Sequence, residues 1–350
     1  TPRAVLNPAD HNDQVGNVTD TSPEQVELAF TRALAAQPAW QGLTAGERGD
    51  CLRRTADLLE AHTAEFIALC VREAGKSYPD AVAEIREAVD FLRYYPNQAE
   101  ALAHDNPRQA LGLFACISPW NFPLAIFSGQ IGAALVMGNA VLAKPAEQTS
   151  LIAHRAVRLF HEAGVPADVL QLLPGDGETV GSRLVGDPRI NGVAFTGSTA
   201  VARLIRRSLV DSGNGHAALI AETGGLNAMI VDSTALPEQA VKDILASSFQ
   251  SAGQRCSALR LLYVQEDIAE NLLEMLAGAM AELQVGNPAL LSTDVGPVID
   301  AEARANIQRH VDGLRGHARL IQEVPVAHPA QGNFVAPVAF ELDRPEQLRE

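Results

Sequence analysis

Apolar residues in the first third of the chain recur at helical spacing. Val26, Phe30, Ala33 and Leu34 share one face after Ser22-Pro23-Glu24-Gln25. That tetrad supplies an N-cap, a proline at the first helical position and a glutamine three residues after the cap. Thr44 and Glu47 repeat the start signal ahead of Leu52, Ala56 and Leu59. Val82, Ile85, Val89 and Leu92 carry a further helix over about 79–95. Residues 1 to about 108 are therefore predicted to be mostly helical, with stripes that serve burial and show no evident chemistry.

Beyond about residue 109 the pattern becomes short apolar runs at 111–118, 140–144, 169–173, 192–195 and 217–221. Helical stretches such as 149–163 and 199–210 lie between them. Strands alternating with helices predict βαβ units and a parallel sheet covered on both faces. Sites in such sheets lie beyond the carboxyl ends of the strands. Polar or small residues stand at each of those ends: Ser118-Pro119-Trp120-Asn121, Lys144-Pro145, Pro174-Gly175, Thr196-Gly197-Ser198 and Glu222-Thr223-Gly224-Gly225. The alternation then restarts with strands at 228–231 and 260–265 and helices over 237 to about 251 and 267–283. The glycine pair 224–225 is a candidate crossover, which predicts one domain over 1–225 and a second over 226–350. No internal repeat or low-complexity tract appears.

Charge and cysteine content narrow the function classes. With 27 basic and 42 acidic residues the net charge is −15, which offers no footprint for nucleic acid or an anionic membrane surface. No apolar run is long enough to span a bilayer. Cys51, Cys70, Cys116 and Cys256 are not at metal-ligand spacing, and no His-x-x-x-His pair occurs. Neither a disulfide scaffold nor a metal site is expected, and the chain reads as a cytoplasmic enzyme of a reducing compartment. It starts at Thr1 without a Met, as a segment of a longer protein would.

Four places could carry chemistry. Thr196-Gly197-Ser198 opens a helix, where backbone N–H groups bind anions; an ordinary tight turn is the alternative. No Gly-x-Gly-x-x-Gly fingerprint exists, since Gly175, Gly177 and Gly181 are spaced differently, so a dinucleotide would need another binding mode. Cys256 is flanked by Arg255 and polar residues, surroundings that favour a thiolate, whereas Cys116 sits inside an apolar strand. Glu222 is either a salt-bridge partner or a general base, and Asn121 either a turn residue or an oxyanion donor.

Taken together, five ordered motifs resemble the aldehyde dehydrogenase superfamily over essentially the whole chain. They are Ile117-Ser118-Pro119-Trp120-Asn121-Phe122-Pro123, Lys144-Pro145-Ala146-Glu147, Phe195-Thr196-Gly197-Ser198, Glu222-Thr223-Gly224-Gly225 and Gly253-Gln254-Arg255-Cys256. Within the superfamily the chain is most similar to the L-glutamate-γ-semialdehyde dehydrogenase domains of bifunctional bacterial proline-oxidising proteins. The resemblance implies a doubly wound parallel-sheet NAD domain and a second α/β catalytic domain, incomplete at its C-terminus. It makes Cys256 the nucleophile, Glu222 the general base and Asn121 an oxyanion donor. NAD would be bound by Ser118, Pro119, Trp120, Lys144, Ala146, Glu147, Gly177, Phe195, Thr196, Gly197, Ser198, Thr223 and Gly224. Phe122, Arg255 and Ser257 would face the substrate. It also implies a small aldehyde as substrate, a homo-oligomer, fusion to a proline dehydrogenase domain that would hold FAD, and possible membrane association of that parent protein. Leu226 departs from the Lys that many members carry. The superfamily's Glu-x-Phe-Gly-Pro motif, aldehyde-anchoring loop and oligomerisation strand would follow a segment like Asp343–Glu350, so the chain as given is expected to be a poor dehydrogenase.

Overall fold

The computed structural model describes residues 2–105, 109–344 and 347–348. Two strands precede the helices that dominate the first hundred residues. Strands β1 (Arg3–Asn7) and β2 (Asp10–Val18) form a two-stranded sheet. The sequence of β2 is mostly polar and does not alternate, so periodicity could not reveal it. Its turn is set by Asn7, whose Oδ1 accepts from the Ala9 N–H at 2.9 Å and whose Nδ2 donates to Asp13 at 3.1 Å.

Helices α1 (Pro23–Gln41) and α2 (Ala45–Ala61) start where the sequence placed them, each with a complete capping box. Next come α3 (Thr63–Ala74) and α4 (Tyr78–Asp105). Instead of stopping near Tyr95, α4 continues through Pro96.

Contacts divide the chain into two units. Thr1–Val5, Val15–Ala74 and Ala81–Thr223 form one; Leu6–Gln14, Gly75–Asp80 and Gly224–Glu350 form the other.

The first unit is built on five strands: β3 (Leu113–Ile117), β4 (Ala140–Lys144), β5 (Leu170–Leu172), β6 (Gly192–Gly197) and β7 (Ala218–Thr223). Between them run α5 (Ala125–Val136), α6 (Ser150–Glu162), the short α7 (Ser182–Val185) and α8 (Thr199–Asp211). The order across the sheet is β5-β4-β3-β6-β7 with every neighbour parallel. Consecutive crossovers thus run outward from β3 on one side and from β6 on the other. The order reverses between β3 and β6, which is where such sheets open a ligand crevice. All residues of β3 and β4 are buried, as strands covered on both faces must be. Leu92, Leu113, Phe127, Leu135, Leu142 and Phe160 lie in that core.

Two buried carboxylates fasten the crossover helices. Glu73 of α3 accepts from the N–H groups of Leu151 and Ile152 at 2.7 and 2.8 Å, at the start of α6. Glu84 of α4 accepts from Leu124 and Ala125 at 3.1 and 3.0 Å, at the start of α5. Each satisfies N–H groups that a helix start leaves without partners and complements the positive end of its dipole.

The second unit contains β8 (Asn227–Val231), α9 (Pro237–Phe249), β9 (Leu259–Val264), α10 (Glu266–Ala281), α11 (Ala301–Arg315), β10 (Arg319–Glu323) and β11 (Val338–Glu341). Strands β8 and β9 pair in parallel across α9, and β10 pairs antiparallel with β11. Val231, Val241, Ile244, Leu259, Leu272, Leu276, Met280 and Val324 form its apolar core. No helix among the described residues is long and apolar enough to cross a membrane.

Candidate active site

The carboxyl edge of the five-stranded sheet gathers most of the sequence-predicted residues of the first unit. Pairing sets Ile117 level with both Lys144 and Phe195, Thr196 level with Glu222, and Gly197 level with Thr223. Both β6 and β7 extend further than the apolar runs suggested. Thr196, Gly197, Glu222 and Thr223 are therefore the last residues of their strands. Ser118 follows directly after β3, buried, and its N–H donates to the Lys144 carbonyl at 3.1 Å. Pro119 is buried, while Trp120, Asn121 and Phe122 are half-buried in the turn that leads to α5. That turn ends at the N–H groups held by Glu84, so a carboxylate from α4 fixes the segment carrying Asn121.

Lys144 is 3% exposed, unusual for an ammonium. Its Nζ donates to the Pro145 carbonyl at 3.1 Å and lies 3.7 Å from a carboxylate oxygen of Glu147. Burial pushes the lysine below its ordinary range, and Glu147 and Asp176 pull it back toward the charged form. Ala146 is buried between the pair, and the Glu147 side chain is half-exposed. Gly177 is exposed with open space where a side chain would begin. A Cβ on Gly197 would stand 2.6 Å from the Phe195 ring, so glycine keeps that strand end slim. Ser198 caps α8, its Oγ accepting from the Val201 N–H at 3.2 Å. A buried ammonium, an open glycine and a capped helix start offer donors, and a carboxylate an acceptor, in a combination that suits a ribose and a pyrophosphate.

Glu222 is exposed, and no residue of β7 is fully buried. Thr223 is half-buried and Gly224 exposed.

In the second unit, Cys256 is exposed, whereas Cys51, Cys70 and Cys116 are buried. Burial pushes the Cys116 thiol up to about 12 and also raises Cys51, which disfavours the thiolate at both. The Cys256 loop is held by Asn227, which sequence reasoning missed, and by Gln254 and Arg255 of the motif itself. Asn227 Nδ2 donates to the carbonyls of Cys256 and Ala258 at 2.7 and 2.9 Å. Gln254 Oε1 accepts from the Ile299 N–H at 2.9 Å, and its Nε2 donates to the Ser251 carbonyl at 3.0 Å. Arg255 donates to the carbonyls of Ala246 and Ser247 in the last turn of α9, at 2.8 and 3.1 Å, so its guanidinium caps a helix end. Ser257 is exposed beside the thiol. The helix expected to run to about 251 stops at Phe249, and the next residues enter the left-handed region. Ser251 and Ala252 have φ of 55° and Gly253 of 69°. Non-glycine residues there cost about 1–3 kcal/mol each and persist where their surroundings impose them. A Cβ on Gly253 would meet the Ser248 carbonyl oxygen at 2.7 Å.

A doubly wound parallel sheet whose carboxyl edge carries these motifs, with a lone accessible thiol downstream, defines an oxidoreductase of the aldehyde dehydrogenase type. The chain belongs to the aldehyde dehydrogenase family, whose profile matches residues 1–347. It is 52% identical over 99% of its length to the bifunctional protein PutA of Escherichia coli strain K12, of which it covers 27%. It is 37% identical over 96% of its length to the 1-pyrroline-5-carboxylate dehydrogenase of Anoxybacillus flavithermus, covering 68% of that protein. Among solved structures, proline utilization A with proline bound in remote sites matches with a TM-score of 0.91 at 48% identity, over 95% of this chain and 35% of that one. The chain thus spans 27% of the length of the first of these curated relatives.

Proposed function

We propose that the chain oxidises L-glutamate γ-semialdehyde to L-glutamate with NAD, as the catalytic segment of a bifunctional proline-degrading protein. The observation that carries this reading is Cys256, exposed on a loop pinned by side chains on both flanks, in a chain resembling a named 1-pyrroline-5-carboxylate dehydrogenase. Lys144 and Glu147 would bind the adenosine ribose, Gly177, Gly197 and Ser198 the pyrophosphate, and Ser118, Pro119, Trp120, Ala146, Phe195, Thr196, Thr223 and Gly224 would line the cofactor. A carboxylate facing the ribose 2′-hydroxyl repels the additional phosphate of NADP.

The Cys256 thiolate adds to the aldehyde carbon, and the carbonyl electron pair moves onto oxygen. The Asn121 amide and the Cys256 backbone N–H donate to that oxyanion. The chemistry a bound NAD would supply is acceptance of the hydride from that same carbon. Cys256 then holds the acyl group as a thioester. Glu222 takes a proton from water, whose oxygen adds to the thioester, and the thiolate leaves as the carboxylate product forms. Phe122 and Ser257 would contact the substrate, with Ser257 the group nearest the thiol for its carboxylate. Arg255 supports the loop through the carbonyls it already serves. The parent protein is proposed to be a cytoplasmic or membrane-associated homo-oligomer, with FAD confined to its proline dehydrogenase domain.

Cys256→Ser tests the reading. Turnover of glutamate semialdehyde in the natural protein should fall by at least about 10³-fold, with NAD affinity retained. Turnover within tenfold of the wild type would move the nucleophile elsewhere.

A further inference from the structure

The approach to Cys256 is the most strained stretch of backbone described. Ser251, Ala252 and Gly253 are consecutive left-handed residues, and only the third is a glycine. A run of this kind keeps its shape only where something outside it imposes that shape. Asp80, at the start of α4 and 4% exposed, supplies the constraint. Its Oδ1 accepts from the Gln250 side-chain amide at 2.7 Å. Its Oδ2 accepts from the Ser251 backbone N–H at 3.2 Å and from the Ser77 hydroxyl at 2.9 Å. One buried carboxylate thus holds both the last residue before the left-handed run and the first residue of it. From the other side, Arg260 donates to the Gly253 carbonyl at 2.6 Å, closing the run at its far end.

We propose that Asp80 is a positioning residue for the nucleophile, holding the Gln250–Gly253 segment so that the following loop presents the Cys256 thiol at a set angle. The proposal rests on the reading of Cys256 as nucleophile. Asp80 touches no reacting atom in it; it acts through the backbone of Ser251. The Asp80 contacts, the left-handed run and Cys256 all lie within the second unit. Nucleotide binding, assigned to the first unit, should therefore not feel the change.

The test compares Asp80→Ala and Asp80→Asn in the natural protein, reading three quantities: alkylation of Cys256 by iodoacetamide, kcat for the aldehyde, and Kd for NAD. Asp80→Ala removes all three bonds and should slow both alkylation and turnover about tenfold to a hundredfold, while NAD affinity stays within about twofold. Asp80→Asn should recover both rates to within about threefold of the wild type, because the Gln250 amide can turn end for end and accept from the new amide. Gln250→Ala, at a half-buried position, removes the shortest of the three bonds and should slow alkylation about threefold even if Asp80→Ala does not fold. Wild-type rates in Asp80→Ala and Gln250→Ala would overturn the proposal. So would an NAD affinity that falls in step with kcat, since that marks general loss of structure, or a failure of Asp80→Asn to rescue. A Cys256→Ser protein that keeps its turnover would instead remove the reading underneath.

Discussion

Cys256 and Cys116 show how far one residue type is governed by its surroundings. The first is exposed on a polar loop; the second lies in a strand with no polar neighbour, its thiol pushed up to about 12 by burial alone. That contrast was legible in the sequence, because Gly253-Gln254-Arg255-Cys256-Ser257 cannot be a core strand and Phe114-Ala115-Cys116-Ile117 can. The role proposed for Glu222 makes a kinetic prediction. Glu222→Gln should leave thioester formation intact and block its hydrolysis. Stopped-flow mixing with aldehyde and NAD should show one equivalent of NADH per site, then turnover slowed by about 10²-fold or more. Loss of the burst itself would place Glu222 earlier in the reaction, on the thiol.

Elements here are joined by buried acids that no periodicity announces. Glu73, 1% exposed, fastens the start of α6, and burial raises its carboxyl to about 7 despite two backbone N–H donors that favour the ionised form. The unfolded chain releases this proton near 4.5 and the native chain near 7, so between those values the native state binds more protons. Its contribution to stability therefore falls as pH rises through that window, by about 3 kcal/mol in all. Urea unfolding at pH 5 and at pH 8 should show it, and Glu73→Gln should flatten the difference. An unchanged pH dependence in that variant would mean Glu73 ionises normally. Helix starts at Ser22 and Thr44 were readable because their caps are local in sequence. The caps from Glu73 and Glu84 come from 78 and 40 residues away and were not.

Across the whole molecule, apolar burial is uneven. The five-stranded sheet is covered over β3 and β4, yet no residue of β7 at its edge is fully buried. In the second unit the paired residues Ile230 and Tyr263 are 80% and 45% exposed on the outer face of a two-stranded parallel sheet. Parallel strands are ordinarily covered on both faces, and exposed apolar pairs of this kind promote association. The 350-residue chain should self-associate with rising concentration in sedimentation velocity runs. Salt should strengthen the effect by screening the net charge of −15. Burying one isoleucine is worth about 1.5–3 kcal/mol, so Ile230→Thr should weaken association about tenfold. A concentration-independent sedimentation coefficient would show that this face makes no contact.

The sequence alone determined the alternation of strands and helices after residue 109, the placement of polar residues at the strand ends, and the distinction between Cys256 on a polar loop and Cys116 in an apolar strand. Each follows from local chemistry: side-chain period, capping residues within three positions, and the polarity of immediate neighbours. Tertiary structure alone decided that β6 and β7 run on to include Gly197 and Thr223, because strand length is set by a partner's register and not by the apolar run. It also decided that the polar segment Asp10–Val18 is a strand, that α4 continues through Pro96, and that Asp80, Asn227 and Glu84 hold the segments carrying Cys256 and Asn121. Those outcomes depend on hydrogen bonds between residues far apart in the chain, and the residues that make them look, in sequence, like ordinary surface positions.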